Sequence, residues 1–370
     1  MVTRITDLSP SWIRAISPYL PGKPVTELAR EMGLPVERII KLASNENPLG
    51  MSPKARAAVE GALAGLNGGV ERYPDQFDLV AALAGRLSVS RDQIVLGNGS
   101  NDVLDLAARV FLAPGRSSVI SQHAFAVYQL ATMAAGAECI TIPAKAYGHD
   151  LAGMRSALRP DTRIVWIANP NNPTGTFLPH PEVKAFLRSI PSDVVVVLDE
   201  AYNEYLPREL GIDTVAWLAD FPNLIITRTF SKVYGLAGLR IGYAVAAPDV
   251  ADLMNRVRQP FNVNNLAIAA AVAALDDSEF LEQSHALNQR GMAQITEGLR
   301  HLGLDYIPSC GNFVCFQVRD AMKVNQRLLQ QGVIVRPLGG YEMPGHLRVT
   351  IGLERENARF LDALKEVLQQ

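Results

Sequence analysis

Apolar and polar positions follow two rhythms along this chain. Seven short runs are continuously apolar and rich in β-branched residues, at 93–96, 118–121, 139–142, 163–168, 194–198, 224–227 and 241–246. Runs of this length without alternation mark strands buried on both faces, as in a parallel sheet covered by helices on each side. Helical patterns separate most of them, and an Ala-rich stretch at 53–66 and a second helix at 79–87 come before the first. This succession predicts an α/β fold with a doubly wound, seven-stranded, mostly parallel sheet. Functional groups in such sheets gather at the carboxyl ends of the strands.

The flanks read differently. Residues 1–45 hold Pro10, Pro18, Pro21, Pro24 and Pro35 around one short helical piece at 25–32, the pattern of an arm crossing a surface. After the seventh run, a helical stretch at 248–276 is broken near Pro260, and a long helix is expected at 279–302. Strands at 312–318, 333–336 and 346–351 with helices at 321–330 and 355–368 then make a smaller α/β layer. The expected division is a large domain at 46–255 and a small one at 256–370 joined by the arm 1–45.

Composition narrows the class. With 370 residues, 48% hydrophobic and 19% charged, the chain has ample core, and a net charge of −2 supplies no basic field for nucleic acid or anionic membrane. No apolar leader opens the sequence, and the longest apolar helical stretch, 266–275, is too short for a bilayer. Cys139, Cys310 and Cys315 are odd in number and lack zinc spacing, so reduced thiols and a cytoplasmic location are expected. The six histidines show no metal spacing, no metal site is expected, and surface or turn roles are expected for all of them. Charged residues at 204–209 read as solvated surface.

Four short elements carry chemistry, each at or just after an expected strand end. Thr229-Phe230-Ser231-Lys232 follows the run at 224–227, with Arg240 eight residues beyond the lysine. A lysine can form an imine with an aldehyde, while hydroxyls and an arginine suit a phosphate; an aldehyde bearing a phosphate is pyridoxal 5′-phosphate (PLP). Gly97-Asn98-Gly99-Ser100-Asn101-Asp102 opens a helix, either as an anion cradle or as a capped turn, and is not the dinucleotide glycine pattern. Asn169-Pro170-Asn171-Asn172-Pro173-Thr174-Gly175 is a rigid loop in which Asn172 offers an amide donor. Asp199 ends an aliphatic strand, where a buried carboxylate needs a cation: the pyridinium nitrogen of PLP, or an arginine.

Together with the Asn45-Glu46-Asn47-Pro48 loop, Arg72-Tyr73-Pro74-Asp75 and Leu347-Arg348-Val349-Thr350, these motifs resemble the fold-type I PLP-dependent aminotransferases over essentially the whole chain. Within them the chain is similar to the histidinol-phosphate aminotransferase family. The resemblance implies that Lys232 binds the cofactor and moves the proton, that Asp199 pairs with the ring nitrogen, and that Asn172 and Tyr202 bond the phenolic oxygen. It implies a phosphate site of Ser100, Asn101, Thr229, Ser231 and Arg240, with Phe125 stacked on the ring where many relatives have tyrosine. Tyr73 would reach the cofactor phosphate of a neighbouring subunit in a homodimer with composite sites. Tyr19, Arg336 and Arg348 would contact substrate. The implied reaction is transamination between L-histidinol phosphate and 2-oxoglutarate in histidine biosynthesis. An aromatic amino-acid aminotransferase and a threonine-phosphate decarboxylase would share the constellation. A fused DNA-binding regulator is disfavoured, because 45 proline-rich residues without a basic helix pair leave little room for such a module.

Overall fold

The computed structural model describes residues 4–19, 22–65 and 69–369. The arm ends in a two-residue strand, β1 (Ile40–Lys41). The seven apolar runs then appear as β2 (Ile94–Gly97), β3 (Ser117–Ser121), β4 (Glu138–Ile142), β5 (Thr162–Ala168), β6 (Val195–Asp199), β7 (Leu224–Thr229) and β8 (Gly242–Ala246). They form one sheet in the order β2-β8-β7-β6-β5-β3-β4, in which β8 runs antiparallel to β7 and β2 and the other pairings are parallel.

Both faces of this sheet are covered, which is why its strands read as unbroken apolar runs. Along β6, Val195 and Val197 pack with Val103, Leu104 and Met254 on one side. Val196 and Leu198 pack with Leu79, Leu83 and Phe186 on the other. β4, at one edge of the sheet, departs most from full burial, with Glu138 and Thr141 exposed.

A second sheet is built from β9 (Tyr306–Ile307), β10 (Phe313–Gln317), β12 (Arg336–Pro337) and β13 (His346–Thr350), in the antiparallel order β12-β13-β10-β9. Strand β11 (Val333–Ile334) pairs instead with β1, in parallel, Ile40 opposite Val333. The single strand expected at 333–336 is therefore two, separated at Val335 because the chain changes partner there. Val314, Phe316, Leu347 and Val349 close against Leu299, Leu328, Phe360 and Leu364 from the helices Ser278–His301, Ala321–Gln330 and Glu354–Leu368.

The stretch expected as one broken helix at 248–276 is Pro248–Val257 and Asn265–Leu275, the second capped by Asn264, whose side chain accepts from the Ala267 N–H at 2.8 Å. Ala267, Ala270, Ala271 and Ala274 of that helix lie in the large sheet's core with Leu79 and Leu83, although the pattern groups them with 256–370. Their small side chains let the helix lie close against Pro53–Leu63. We therefore propose that the large unit runs on to Leu275, twenty residues past the expected boundary, with the division near Asp277. The first Ala-rich helix ends at Leu63, short of the expected 66; Leu66 itself, like Pro21, lies outside the described residues. Among the described residues no helix is long and apolar enough to cross a membrane.

Candidate active site

The carboxyl ends of β2, β5, β6 and β7 open on one cavity of about 400 Å³, closed from above by β12, β13 and the chain leaving the arm. Lys232 enters it just beyond β7. The strand is buried throughout, and Phe230 behind it is fully buried, so the turn that follows is held from below. The Lys232 Nζ donates to the Ser44 carbonyl at 3.1 Å and lies 5.7 Å from the centre of the Tyr202 ring. Loss of hydration, then the neighbouring Arg348 and Arg240 charges, lower its pKa to about 8, against the opposing pull of Glu46 and Asp199. An amine in this condition has a usable neutral fraction near physiological pH.

Asp199 closes the floor. Its Oδ2 accepts from the Tyr128 hydroxyl at 2.7 Å and its Oδ1 from the Thr227 hydroxyl at 3.1 Å. Burial raises its pKa despite these donors, and among the described residues no ion pair reaches it. The arginine that might have neutralised it, Arg228, is committed next door, to Glu200, at 2.8 Å. A buried carboxylate facing a cavity with two neutral donors and no cation is built to receive one. Of the two cations the sequence left open, no arginine pairs with it among the described residues, and the residues fit a protonated ring nitrogen.

The opposite end of the cavity gathers groups that suit an anion. The helix Ser100–Phe111 begins at Gly99 without a side-chain cap, leaving its first N–H groups to the cavity, where Ser100 and Asn101 line the wall. Thr229, Ser231 and Arg240 stand beside them, Arg240 in the left-handed conformation (φ 59°) with its Nη1 donating to the Ala237 carbonyl at 2.9 Å. Gly242 permits this convergence: a Cβ there would sit 2.4 Å from the Ser100 nitrogen.

Above the cavity, the Arg348 Nη1 donates to Asn172 Oδ1 at 2.6 Å and its Nη2 to the Ala43 carbonyl at 2.8 Å, which turns the Asn172 amide nitrogen to the cavity as a donor. The buried Arg348 Nε has no hydrogen-bond partner among the described residues. Arg336 stands directly across from Arg348 in the β12–β13 register and lies 5.5 Å over the Tyr19 ring, so these three residues form one wall. Phe125 lines the cavity edge-on to Tyr128. Tyr202 is buried, and its phenol is pushed up to about 12, so it stays protonated.

Tyr73 is the one expected site residue not brought to this cavity. It is 80% exposed and stacked on Phe261, also exposed, at 4.4 Å. No role was expected for several other residues that line the cavity: Ser44, Asn45, Glu46, Tyr128 and Tyr341. Asn45 sits inside a motif and Tyr128 close to Phe125, but their partners lie far off in the chain. Two surface expectations hold only in part. Glu204 is half-buried, and desolvation raises its pKa to about 7. His149 and His346 are buried, His149 with its Nε2 3.0 Å from the Ala168 carbonyl.

Comparison with known proteins agrees with this geometry. Residues 37–364 match the family model for aminotransferase class I and II. Histidinol-phosphate aminotransferase 1 of Dechloromonas aromatica (strain RCB) is 70% identical over 364 residues, covering 98% of this chain and 99% of that one. Histidinol-phosphate aminotransferase 2 of Nitrosospira multiformis is 62% identical, covering 99% and 93%. The crystal structure of histidinol-phosphate aminotransferase from Sinorhizobium meliloti, in complex with pyridoxal-5′-phosphate, superposes with a TM-score of 0.89 at 30% identity, covering 98% of each chain. A cavity with a neutralisable lysine, an unpaired buried carboxylate and an anion cradle, on a fold shared from end to end with these enzymes, places the chain in the aminotransferase class I and II family, among the histidinol-phosphate aminotransferases.

Proposed function

We propose that the enzyme uses PLP to exchange an amino group between L-histidinol phosphate and 2-oxoglutarate, with Lys232, Asp199, Asn172 and Tyr202 as its catalytic residues. Bound PLP supplies an aldehyde that links to amines and a ring that accepts electrons when a bond at the substrate's Cα breaks. The observation that carries the reading is Asp199: a buried carboxylate lining the cavity with Lys232, held by two hydroxyls and, among the described residues, without a cation.

Each residue then has a task. Lys232 would hold the cofactor's aldehyde carbon and, as a free base, would take and return the proton at the substrate's Cα. Asp199 keeps the ring nitrogen protonated. Asn172 and Tyr202 donate to the phenolic oxygen. Ser100, Asn101, Thr229, Ser231 and Arg240 bind the cofactor phosphate, and Phe125 covers the ring face. Arg348 and Arg336, with Tyr19, bind the substrate's distant anion. A guanidinium fork accepts the phosphate of one substrate and a carboxylate of the other, which a lysine would do less well.

We further infer a cytoplasmic homodimer in which Tyr73 completes the cofactor site of the partner subunit; the exposed Tyr73–Phe261 pair, an apolar surface turned outward, supports this. The test is a half-reaction screen, adding amino donors one at a time and following the cofactor's absorption. Histidinol phosphate should convert it far more efficiently than histidinol, phenylalanine or threonine phosphate, and without release of carbon dioxide. If histidinol or phenylalanine matches histidinol phosphate in kcat/KM, the substrate assignment is wrong. Borohydride should fix the cofactor to the peptide holding Lys232.

A further inference from the structure

Tyr202 does not approach the cavity alone: a short chain of polar groups behind it has a defined direction. The Asn45 backbone N–H donates to Thr350 Oγ1 at 3.0 Å, and the Thr350 hydroxyl donates back to Asn45 Oδ1 at 3.1 Å. With its oxygen engaged, the Asn45 amide presents Nδ2 to the Tyr202 hydroxyl, 2.9 Å away. Asn45, Tyr202 and Thr350 are 1%, 3% and 3% exposed, so water has little part in the arrangement. Turning the amide over would leave the Thr350 hydroxyl proton without an acceptor among the described residues, a costly state for a buried donor.

We propose that Asn45 is a positioning residue that makes Tyr202 a hydrogen-bond donor into the cavity, and that Thr350 sets the direction of its amide. This deepens the function proposed above and rests on Tyr202 meeting the cofactor's phenolic oxygen. The phenol oxygen receives the amide proton, so its own proton has to leave on another side. Phe313 packs edge-on against the ring at 5.1 Å, and the open side is the cavity. Asparagine suits the position twice. Its backbone is left-handed (φ 56°), which asparagine tolerates better than most residues, and its carbonyl accepts from Asn312 Nδ2 at 3.1 Å. Thr350 lies two residues beyond Arg348 on β13, so the strand that carries the proposed substrate clamp also orients a group at the cofactor.

The test is a pH titration of the bound cofactor's visible absorption band in the holoenzyme. A donor on the phenolic oxygen weakens that oxygen's hold on the neighbouring proton, so removing the donor should keep the proton on to higher pH. Tyr202→Phe should raise the titration midpoint by about one to two pH units. Asn45→Asp keeps the side chain's shape but offers only acceptors, which draws the phenol proton away from the cavity. It should raise the midpoint as far as Tyr202→Phe does, and the double variant should go no further. Asn45→Gly keeps the left-handed backbone and removes the amide without adding an acceptor, so its shift should be smaller than that of Asn45→Asp. A role in loop packing alone predicts the reverse order, and that order overturns the proposal. Thr350→Val frees the amide to turn and should give a smaller shift in the same direction, which keeps the test alive if Asn45→Asp does not fold. Should Tyr202→Phe shift the band while Asn45→Asp and Thr350→Val leave it in place, the role of Asn45 fails and that of Tyr202 stands. Should Tyr202→Phe itself leave the band in place, the reading of Tyr202 fails as well.

Discussion

Burial strips water from Lys232 and His149 and lowers the pKa of both. For Lys232, a pKa of about 8 leaves roughly one amine in ten neutral at pH 7, against one in some thousands for an ordinary lysine. Uptake of PLP by the apoprotein should accelerate about tenfold per pH unit up to pH 8 and then level off; a rise continuing to pH 10 would contradict the assignment. For His149 the consequence is structural. Its pKa falls from 6.5 to about 4, so below pH 6.5 the unfolded chain takes up a proton that the folded one refuses. Stability should decline between pH 6.5 and 4 by on the order of 3 kcal/mol from this group. His149→Asn should flatten that part of the stability curve in denaturant titrations. Arg348→Ala should lower kcat/KM in both half-reactions roughly thirtyfold, the loss of one charge-assisted contact, and free Asn172 Oδ1 from its partner.

The helix Ser100–Phe111 depends on a backbone approach. Gly242→Ala would drive a methyl against the Ser100 nitrogen, backbone against backbone, and neither strand β8 nor the helix can yield locally. We expect at least a tenfold loss of PLP affinity, read by equilibrium dialysis, with the sheet intact by circular dichroism. What the sequence made legible at this level follows from length and environment. Strands of four to seven residues, buried on both faces, imprint a continuous run that can be read without knowing their neighbours. Strands β1 and β9, two residues each, leave no pattern. The partner change at Val335 is equally invisible, because both halves of 333–336 are apolar or extended alike. The motif residues Lys232, Asp199, Asn172 and Arg240 were legible because their chemistry is local to the strand ends. Asn45 and Tyr128 were not, since what they do depends on Thr350, 305 residues on, and on Asp199, 71 residues on. Glu204 misled because exposure of a charged run is decided by what packs over it.

For the molecule as a whole, Tyr73 turned away from its own cavity is the feature that a second copy would explain. Lys232→Ala and Tyr73→Phe proteins, each impaired, should regain wild-type PLP affinity at one of the two sites of every mixed dimer formed when they are allowed to exchange. One site of the mixed dimer then carries both changes and the other neither. Failure to recover, or a fully active monomer in sedimentation, would remove the shared site. The pairing of β1 with β11 bears on time as well as shape. Ile40 leaves the ribosome early, but Val333, its partner across the strand pair, follows only about 300 residues later, as do Arg336, Arg348 and Thr350. At about 5–20 residues per second, the loop bearing Ser44, Asn45 and Glu46 waits roughly 15 to 60 seconds for the strands that hold it. The great sheet can be assembled by then, so the active cavity is the last part of the molecule to be finished, and a nascent chain released early would carry most of a core and no enzyme.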